Sequence, residues 1–449
     1  LNHAKDLNEV PMKSVVGNPH RFVIFTVFYS ARAYYPILAV LFIDLGLTLD
    51  QFVLLNLVWA ATIFLFEVPS GALADIVGRK KLLVTASTLM MLEMLCLLLA
   101  PRGGGSILMA ICVLNRILSG LSEACASGAD EALAYDSLPE SNRKESWDRL
   151  LSTAMRWRST GYVITMILGA FLYDPSSVNR LLPDSAHLSV DVAHRLPVAM
   201  VLIQSFICLA ATLSMYEPTR ERSGSNENSI KSSFQLTGSA IRWIISHRQI
   251  GAWIIIGLTI DSIIRNFATI NSSYFRIIHL PDWTFGLIGA MIGGIGWFVP
   301  TLAKKLNHRF STLTNLAIAT GFALIGLTAL IPAWRLYGLI PALFLMTTLN
   351  YLGFTLSRAL HAATDSSKRA TVLSVKGLAF NLGYGLFSLA FSRLLLSFGD
   401  QPAASALRSA LTWQVPPFAI VIATLLYLAH RRARCNRDEK HFSETHMHD

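Results

Sequence analysis

The segment Gly71-Ala-Leu-Ala-Asp75-Ile-Val-Gly78-Arg79-Lys80-Lys81-Leu-Leu83 decides how this chain is read. It is a short, basic connection between two apolar runs, residues 51–74 and 81–101. Each run is close to the ~20 residues that a helix needs to cross a hydrocarbon core. Arg79, Lys80 and Lys81 are charges that hold such a loop on one side of a membrane, while Gly71 and Gly78 permit close packing and a sharp turn. That reading accounts for the basic residues and the turn. It gives no reason for the acid at Asp75, four residues before an Arg.

Outward from this loop the same pattern repeats. The 449 residues are 53% hydrophobic and 15% charged, with mean hydropathy +0.48, whereas soluble chains average about 25% charged residues. Apolar runs recur at 21–44, 51–74, 81–101, 106–134, 151–173, 196–216, 250–275, 284–303, 311–331, 336–357, 371–397 and 409–430. They are apolar throughout rather than alternating in polarity, so they favour a helix bundle strongly over a barrel. The expected fold is an all-α membrane protein of twelve transmembrane helices.

The formal charge of +10 would suit nucleic acid if it formed one patch. It does not: about 27 of the 38 Lys and Arg fall on segments sharing a side with the N-terminus, and about 7 on the opposite loops. The asymmetry places both termini in the cytoplasm and accounts for the basic balance without a nucleic-acid partner. Four of the five cysteines, Cys96, Cys112, Cys125 and Cys208, lie in apolar spans and read as small buried residues. No cleavable signal is expected, because about twenty polar residues precede a first span too long for a signal peptide's apolar region.

One long polar interruption, EPTRERSGSNENSIKSS at 217–233, splits the spans six and six. The expected organisation is a cytoplasmic segment at 1–20, a six-helix bundle at 21–216, a linker at 217–249, a second six-helix bundle at 250–430 and a cytoplasmic tail at 431–449. Within the linker, Gln235 to Gln249 mixes Leu236, Ile241, Trp243 and Ile244 with Arg242 and Arg248, which suits an amphipathic helix at the membrane surface. The two halves echo each other. Val68-Pro69-Ser70 recurs as Val299-Pro300-Thr301, and Gly161-Tyr162 recurs as Gly383-Tyr384 in the corresponding later span.

The loop 71–83 resembles the G-x-L-a-D-r-x-G-r-k-x-x-l signature of the major facilitator superfamily, departing at Ile76, where a basic residue is usual. The resemblance implies that fold, two six-helix bundles, and a gating role for Gly71, Asp75, Gly78, Arg79 and Lys80. It implies that Asp75 faces the start of the eleventh helix near Arg369 and Thr371, where a carboxylate meets the positive end of the helix dipole. It further implies that Arg79 reaches an acid at the end of the fourth helix, Asp136 first, with Asp130 and Glu131 as alternatives.

Eight ionisable residues stand out within the spans: Arg32, Glu67, Glu93, Arg116, Glu123, Asp261, Arg265 and Lys376. An ionisable group at mid-membrane depth costs a few kcal/mol or more, so each marks a pair or a function. Asp261 and Arg265, one turn apart, are placed to neutralise each other. Arg116, Ser119, Gly120, Glu123 and Ser127 form one polar stripe on the fourth helix, which must face a cavity or other helices. Arg116-Ile-Leu-Ser-Gly120 also resembles the family's R-x-x-q-G element, whose Arg is linked to proton transfer in proton-coupled members. The candidates for proton coupling are therefore Arg116, Glu123, Glu93 and Asp261. Arg32 with Tyr35 beside it, Glu67, Arg265, Lys376, Asn381 and Tyr384 are candidates for lining a substrate cavity, although Arg32 can equally pair with Glu93 or Glu123. The fifth span lacks the Gly-Pro signature common in drug/proton antiporters of the family, which weakens antiport.

Other patterns carry less. His361-Ala-Ala-Thr-Asp365 matches an acyltransferase-like spacing but lies at a helix end. Cys435, His441, His446 and His448 lie in the expected tail, and the Asn271-Ser-Ser sequon falls late in a span. No metal or cofactor is expected. The expected function is transport by alternating access: a small amphiphilic molecule moved by a proton gradient, export favoured, through a monomer in a bacterial inner membrane. Import of a metabolite or siderophore is the alternative, and a polytopic enzyme or a non-transporting sensor the alternative of another class. An enzyme would show a cluster of nucleophile, base or metal ligands at one face, and the sequence offers none.

Overall fold

The computed structural model describes residues 17–217 and 226–445, and among them every regular element is helical. Eleven helices among the described residues are long and apolar enough to cross a membrane. They cover eleven of the twelve apolar runs. The run at 151–173 lies in a further helix, Arg143–Tyr173, whose first half carries Arg149, Arg156 and Arg158 and is polar enough to set it apart. Large apolar side chains such as Leu65, Ile203, Phe298 and Ile325 are more than 60% exposed, which in water would be costly and in lipid is not.

The first apolar run is not one helix. It comprises Asn18–Ser30, a non-helical stretch at 31–34, a single 3-10 turn Tyr35–Ile37, and a second helix Leu38–Leu45. Pro36 accounts for the break, because it has no N–H to donate and its ring disfavours helical backbone at the residue before it. The displaced backbone is buried against the helix Arg143–Tyr173 at Gly169. A Cβ on that glycine would lie 1.8 Å from the Ala33 carbonyl oxygen, so only glycine admits the approach. The fourth run is also divided, into Ser106–Ala126 and Ala129–Asp136, where Gly128 takes a φ of +73°.

Two compact units emerge, Leu1–Ile37 with Thr62–Phe234, and Leu38–Ala61 with Gln235–Asp449. In the first unit, Arg79–Leu98 packs between Ser106–Ala126 and Val190–Ser214, while Asn18–Ser30 packs on Arg143–Tyr173 and Val190–Ser214. In the second, Arg248–Ile277 is central and touches Leu38–Leu45, Thr312–Leu330, Leu339–Ala363, Ser366–Leu396 and Val415–Thr445. The linker helix Asn226–Ser246 ends on this unit, with Ile244 buried beside Ile250, Ile254, Leu356 and Leu360. The hairpin 38–61 therefore packs with the second unit, although it falls among the first six apolar runs.

Candidate functional site

The basic loop is built around Gly78, whose φ of +103° and ψ of 143° suit glycine alone. The chain then enters the helix Arg79–Leu98, whose first N–H groups need partners from outside the helix. Glu217 supplies them: its carboxylate accepts from the Arg79 N–H at 3.0 Å and from the Lys80 N–H at 2.7 Å. An anion at a helix N-terminus is also favoured by the helix dipole. The side chain of Arg79 turns to Asp136, with Nη1 donating to Oδ2 at 2.6 Å. Asp130 accepts instead from the Glu131 backbone N–H. The side chain of Asp75 lies outside the described residues, so its expected contact near Arg369 and Thr371 does too. Arg369 itself donates to the Thr364 carbonyl at 3.1 Å.

Asn18 ties the same corner together. It is fully buried, donates to Ser137 Oγ at 2.9 Å and to the Tyr216 carbonyl at 2.7 Å, and accepts from the Tyr216 N–H at 3.0 Å. Sequence reading missed both Asn18 and Glu217. The second was legible only as the first residue of a polar linker.

Deeper in the first unit, a buried network forms around the break in the first run. Arg32 Nη1 donates to Glu93 Oε2 at 2.6 Å, and the two side chains are 3% and 0% exposed. Tyr34 donates to Glu93 Oε1 at 3.0 Å, while Asn115 donates to the Glu93 carbonyl at 2.8 Å and accepts from Arg116 Nε at 3.0 Å. The Arg32 guanidinium also lies 5.3 Å from the centroid of the Tyr29 ring, whose hydroxyl bonds Ser122 at 2.8 Å. Tyr35 sits edge-on to Tyr34 at 5.3 Å and is 42% exposed. Arg32 and Glu93, candidates for cavity lining and proton coupling, are thus one ion pair, the first of the two pairings the sequence offered Arg32. Tyr34, rather than Tyr35, completes it.

Two acids remain beside that pair. Glu67 Oε2 is buried without a hydrogen-bond partner. Glu123 lies close enough for Glu67 to feel its charge, and neither forms an ion pair among the described residues. Glu123 in turn lies close enough to Arg32, and to Arg158 on the helix Arg143–Tyr173, to feel both charges.

The second unit holds its own cluster. Arg265 Nη2 lies 2.7 Å from Asp261 Oδ2, an ion pair whose geometry does not make a hydrogen bond. Its Nη1 donates to Asn381 Oδ1 at 3.1 Å and its guanidinium lies 5.6 Å from the Tyr384 ring centroid. Tyr384 donates to Thr269 at 3.3 Å, and Trp59 meets its ring edge-on at 6.4 Å. Lys376 lies 5.0 Å from the Phe380 ring centroid and close enough to Asp261 and Arg265 to feel both charges. Arg265 and Lys376 therefore act on Asp261, and Asn381 and Tyr384 meet Arg265.

His361 Nδ1 bonds the Ser357 carbonyl at 2.8 Å, an ordinary contact within its own helix. The tail residues Cys435, His441, His446 and His448 have side chains outside the described residues. No group of three or more His, Cys, Asp or Glu side chains is placed to hold a metal ion among the described residues.

Comparison with solved structures places this arrangement of helices among membrane transporters. The nucleoside transporter NupG aligns with a TM-score of 0.70 at 8% identity, covering 93% of this chain and 98% of that one. A bacterial homolog of the human lysosomal transporter Spinster, inward-facing and unoccupied, aligns with a TM-score of 0.66 at 14% identity over 94% and 98%. A D-xylose-proton symporter aligns with a TM-score of 0.58 at 14% identity over 91% and 96%. At such identities the likeness is one of fold. No curated protein matches the sequence. The family model of the Major Facilitator Superfamily, however, matches residues 22–388. With the basic loop, the all-helical spans and that match in agreement, this integral membrane protein belongs to the Major Facilitator Superfamily of transporters.

Proposed function

We propose that the chain is a secondary transporter that moves a small amphiphilic molecule by alternating access, coupled to protons, with export as the favoured direction. The observation that carries the coupling is that Glu67 and Glu123, with Glu67 close enough to feel the charge of Glu123, form no ion pair among the described residues, while Arg32 and Glu93 neutralise each other. Two acids outside an ion pair, at membrane depth, are a place where one positive charge can be taken up and released. Glu123 is the proton carrier in this reading, and Glu93 with Arg116 organises the network around it. Arg32, Tyr35 and Glu67 in one unit, and Asp261, Arg265, Lys376, Asn381 and Tyr384 in the other, contribute polar and aromatic surface for substrate.

The gate is the basic loop. Arg79 on Asp136 and Glu217 on the first turn of Arg79–Leu98 hold that loop in one geometry, and alternating access exchanges such contacts as the two bundles rock. Asp75, Gly71, Gly78 and Lys80 act with them, on a side taken as cytoplasmic from the charge asymmetry. The linker helix Asn226–Ser246 is proposed to lie at that surface, with Ile241 and Ile245 exposed beside Arg242. Two outcomes remain distinct within transport. An acid outside an ion pair also suits a cationic substrate, which would be carried instead of the proton.

Reconstitution into liposomes under an imposed pH gradient separates them. The expected result is that a transported compound collapses the gradient as it moves. Movement of a cationic compound with the gradient untouched favours the cation reading. If no compound from a broad amphiphile panel moves, or the protein leaves every gradient intact, proton coupling fails for those compounds.

A further inference from the structure

At the ends of the helices Arg248–Ile277 and Thr312–Leu330, and at the start of Ala403–Trp413, the second unit leaves a cavity of about 620 Å³. That is within the roughly 300–1,000 Å³ of small-ligand sites. Arg276, His279, Ala333, Arg335, Ser405 and Arg408 line it, and among the described residues its lining includes no Asp or Glu. The helix Arg248–Ile277 starts directly after the linker helix Asn226–Ser246 and ends at the cavity. The cavity therefore lies at the end of the unit away from the linker.

The cations around it are not equally engaged. Arg276 is held between two carboxylates, donating to Asp44 at 2.7 Å through Nη1 and Nη2 and to Asp282 at 3.0 and 2.5 Å through Nε and Nη2. It forms wall and adds no net positive charge. Arg408 donates to the Ile331 and Pro332 carbonyls at 3.4 and 3.2 Å. Those acceptors are neutral, so they orient the guanidinium and leave its charge whole. Neither Arg408 nor Arg335 forms an ion pair among the described residues.

The backbone is strained at the same place. Among the described residues, His279 and Ala333 are the two non-glycine residues with positive φ, at 58° and 48°, and both line this cavity. Such backbone is uncommon outside glycine, and its cost is concentrated in proteins where ligands are clamped. Beside Arg335, Trp334 and Tyr337 are 66% and 72% exposed, with Leu336 and Ile340 exposed next to them. An exposed Trp and Tyr at the start of a span mark the headgroup level of a bilayer.

We propose that this cavity binds the phosphate headgroup of an anionic phospholipid, in the leaflet opposite the linker helix. Arg335 and Arg408 give phosphate the paired, charge-assisted hydrogen bonds for which guanidinium is shaped, and Ser405 offers a hydroxyl on the same wall. The exposed apolar side chains beside Arg335 border the acyl chains. A soluble phosphate shares the headgroup chemistry but gains nothing from that border. The site takes no part in the transport cycle proposed above and stands whether or not protons are carried.

The test uses the full chain with its five cysteines replaced by Ser. Ser405→Cys puts a thiol on the cavity wall, and Ser397→Cys puts one at the same end, exposed but outside the lining. Labelling by an uncharged hydrophilic maleimide is followed in nanodiscs of phosphatidylcholine with increasing fractions of phosphatidylglycerol. Labelling of Ser405→Cys should slow as that fraction rises, while Ser397→Cys keeps its rate. An arginine near a membrane surface strengthens attraction to anionic lipid about fivefold. The fraction giving half protection should therefore rise about fivefold in Arg335→Gln, and protection should vanish when Arg408→Gln is added. Arg335→Gln alone carries the test if the double variant does not fold. Labelling of Ser405→Cys that phosphatidylglycerol does not slow overturns the site, as does equal slowing of Ser397→Cys or protection that Arg335→Gln leaves unchanged. Protection by inorganic phosphate in pure phosphatidylcholine, beyond that given by chloride at equal ionic strength, overturns the lipid assignment in favour of a soluble anion.

Discussion

Glu123→Gln is expected to abolish uphill transport while leaving substrate exchange intact. One pH unit corresponds to about 1.4 kcal/mol per proton carried, which supports about tenfold accumulation. Across an imposed gradient of two units, the parent protein should accumulate or expel substrate up to about a hundredfold, and Glu123→Gln should only equilibrate it. Glutamine matches the shape of glutamate and cannot take up a proton, so alternating access itself should continue. Exchange of labelled for unlabelled substrate across the membrane should therefore persist at a comparable rate. Loss of exchange together with accumulation would place Glu123 in substrate binding or folding rather than coupling. The expectation follows from Glu67 and Glu123 of the first unit, which form no ion pair among the described residues while Arg32 is held by Glu93.

The second large effect concerns Arg32 and Glu93. Both are buried, at 3% and 0% exposure, and removing one partner of a buried pair costs roughly 3–5 kcal/mol because the other charge is stranded. Glu93→Leu and Arg32→Met should each destabilise the protein by that amount. The double variant should be much less destabilised than the sum, because no charge then remains to be stranded. Thermal unfolding in detergent measures the cycle, and strictly additive losses would sink the idea that the pair is a unit. Transport by the double variant then separates two roles. If it is stable and silent, Arg32 serves substrate as well as structure. If it transports normally, the pair is scaffold alone.

What could be read in the sequence, and what could not, divides along physical lines. Hydropathy and charge asymmetry are local, so the helical membrane class and the basic loop were legible from residues alone. Arg79 with Asp136, and Asp261 with Arg265, are pairs that the sequence named and the structure brings within 2.6 and 2.7 Å. The first followed from a family resemblance, the second from helical spacing.

Partner choice among distant charges was not legible. Arg32 and Arg116 were both available to Glu93, and only the fold puts Arg32 on its carboxylate and Arg116 on Asn115. The break at 31–37 was hidden because hydropathy reports side chains, whereas the interruption is a backbone event. Pro36 was its signal. The division of the hairpin 38–61 from the first unit had no local signal at all. Nor did the Glu217 cap, which joins residues 137 and 138 positions apart.

The central claim is that Glu123 takes up and releases a proton as the transporter cycles. Infrared difference spectroscopy of the reconstituted protein during a step to lower pH tests it most directly, because a carboxylate that gains a proton acquires the carbonyl stretch of a carboxylic acid. The account predicts such a band in the parent protein and its loss in Glu123→Gln, with the Arg32 and Glu93 pair unchanged. A band that survives in Glu123→Gln, or none in the parent over the pH range in which gradients drive transport, would contradict it.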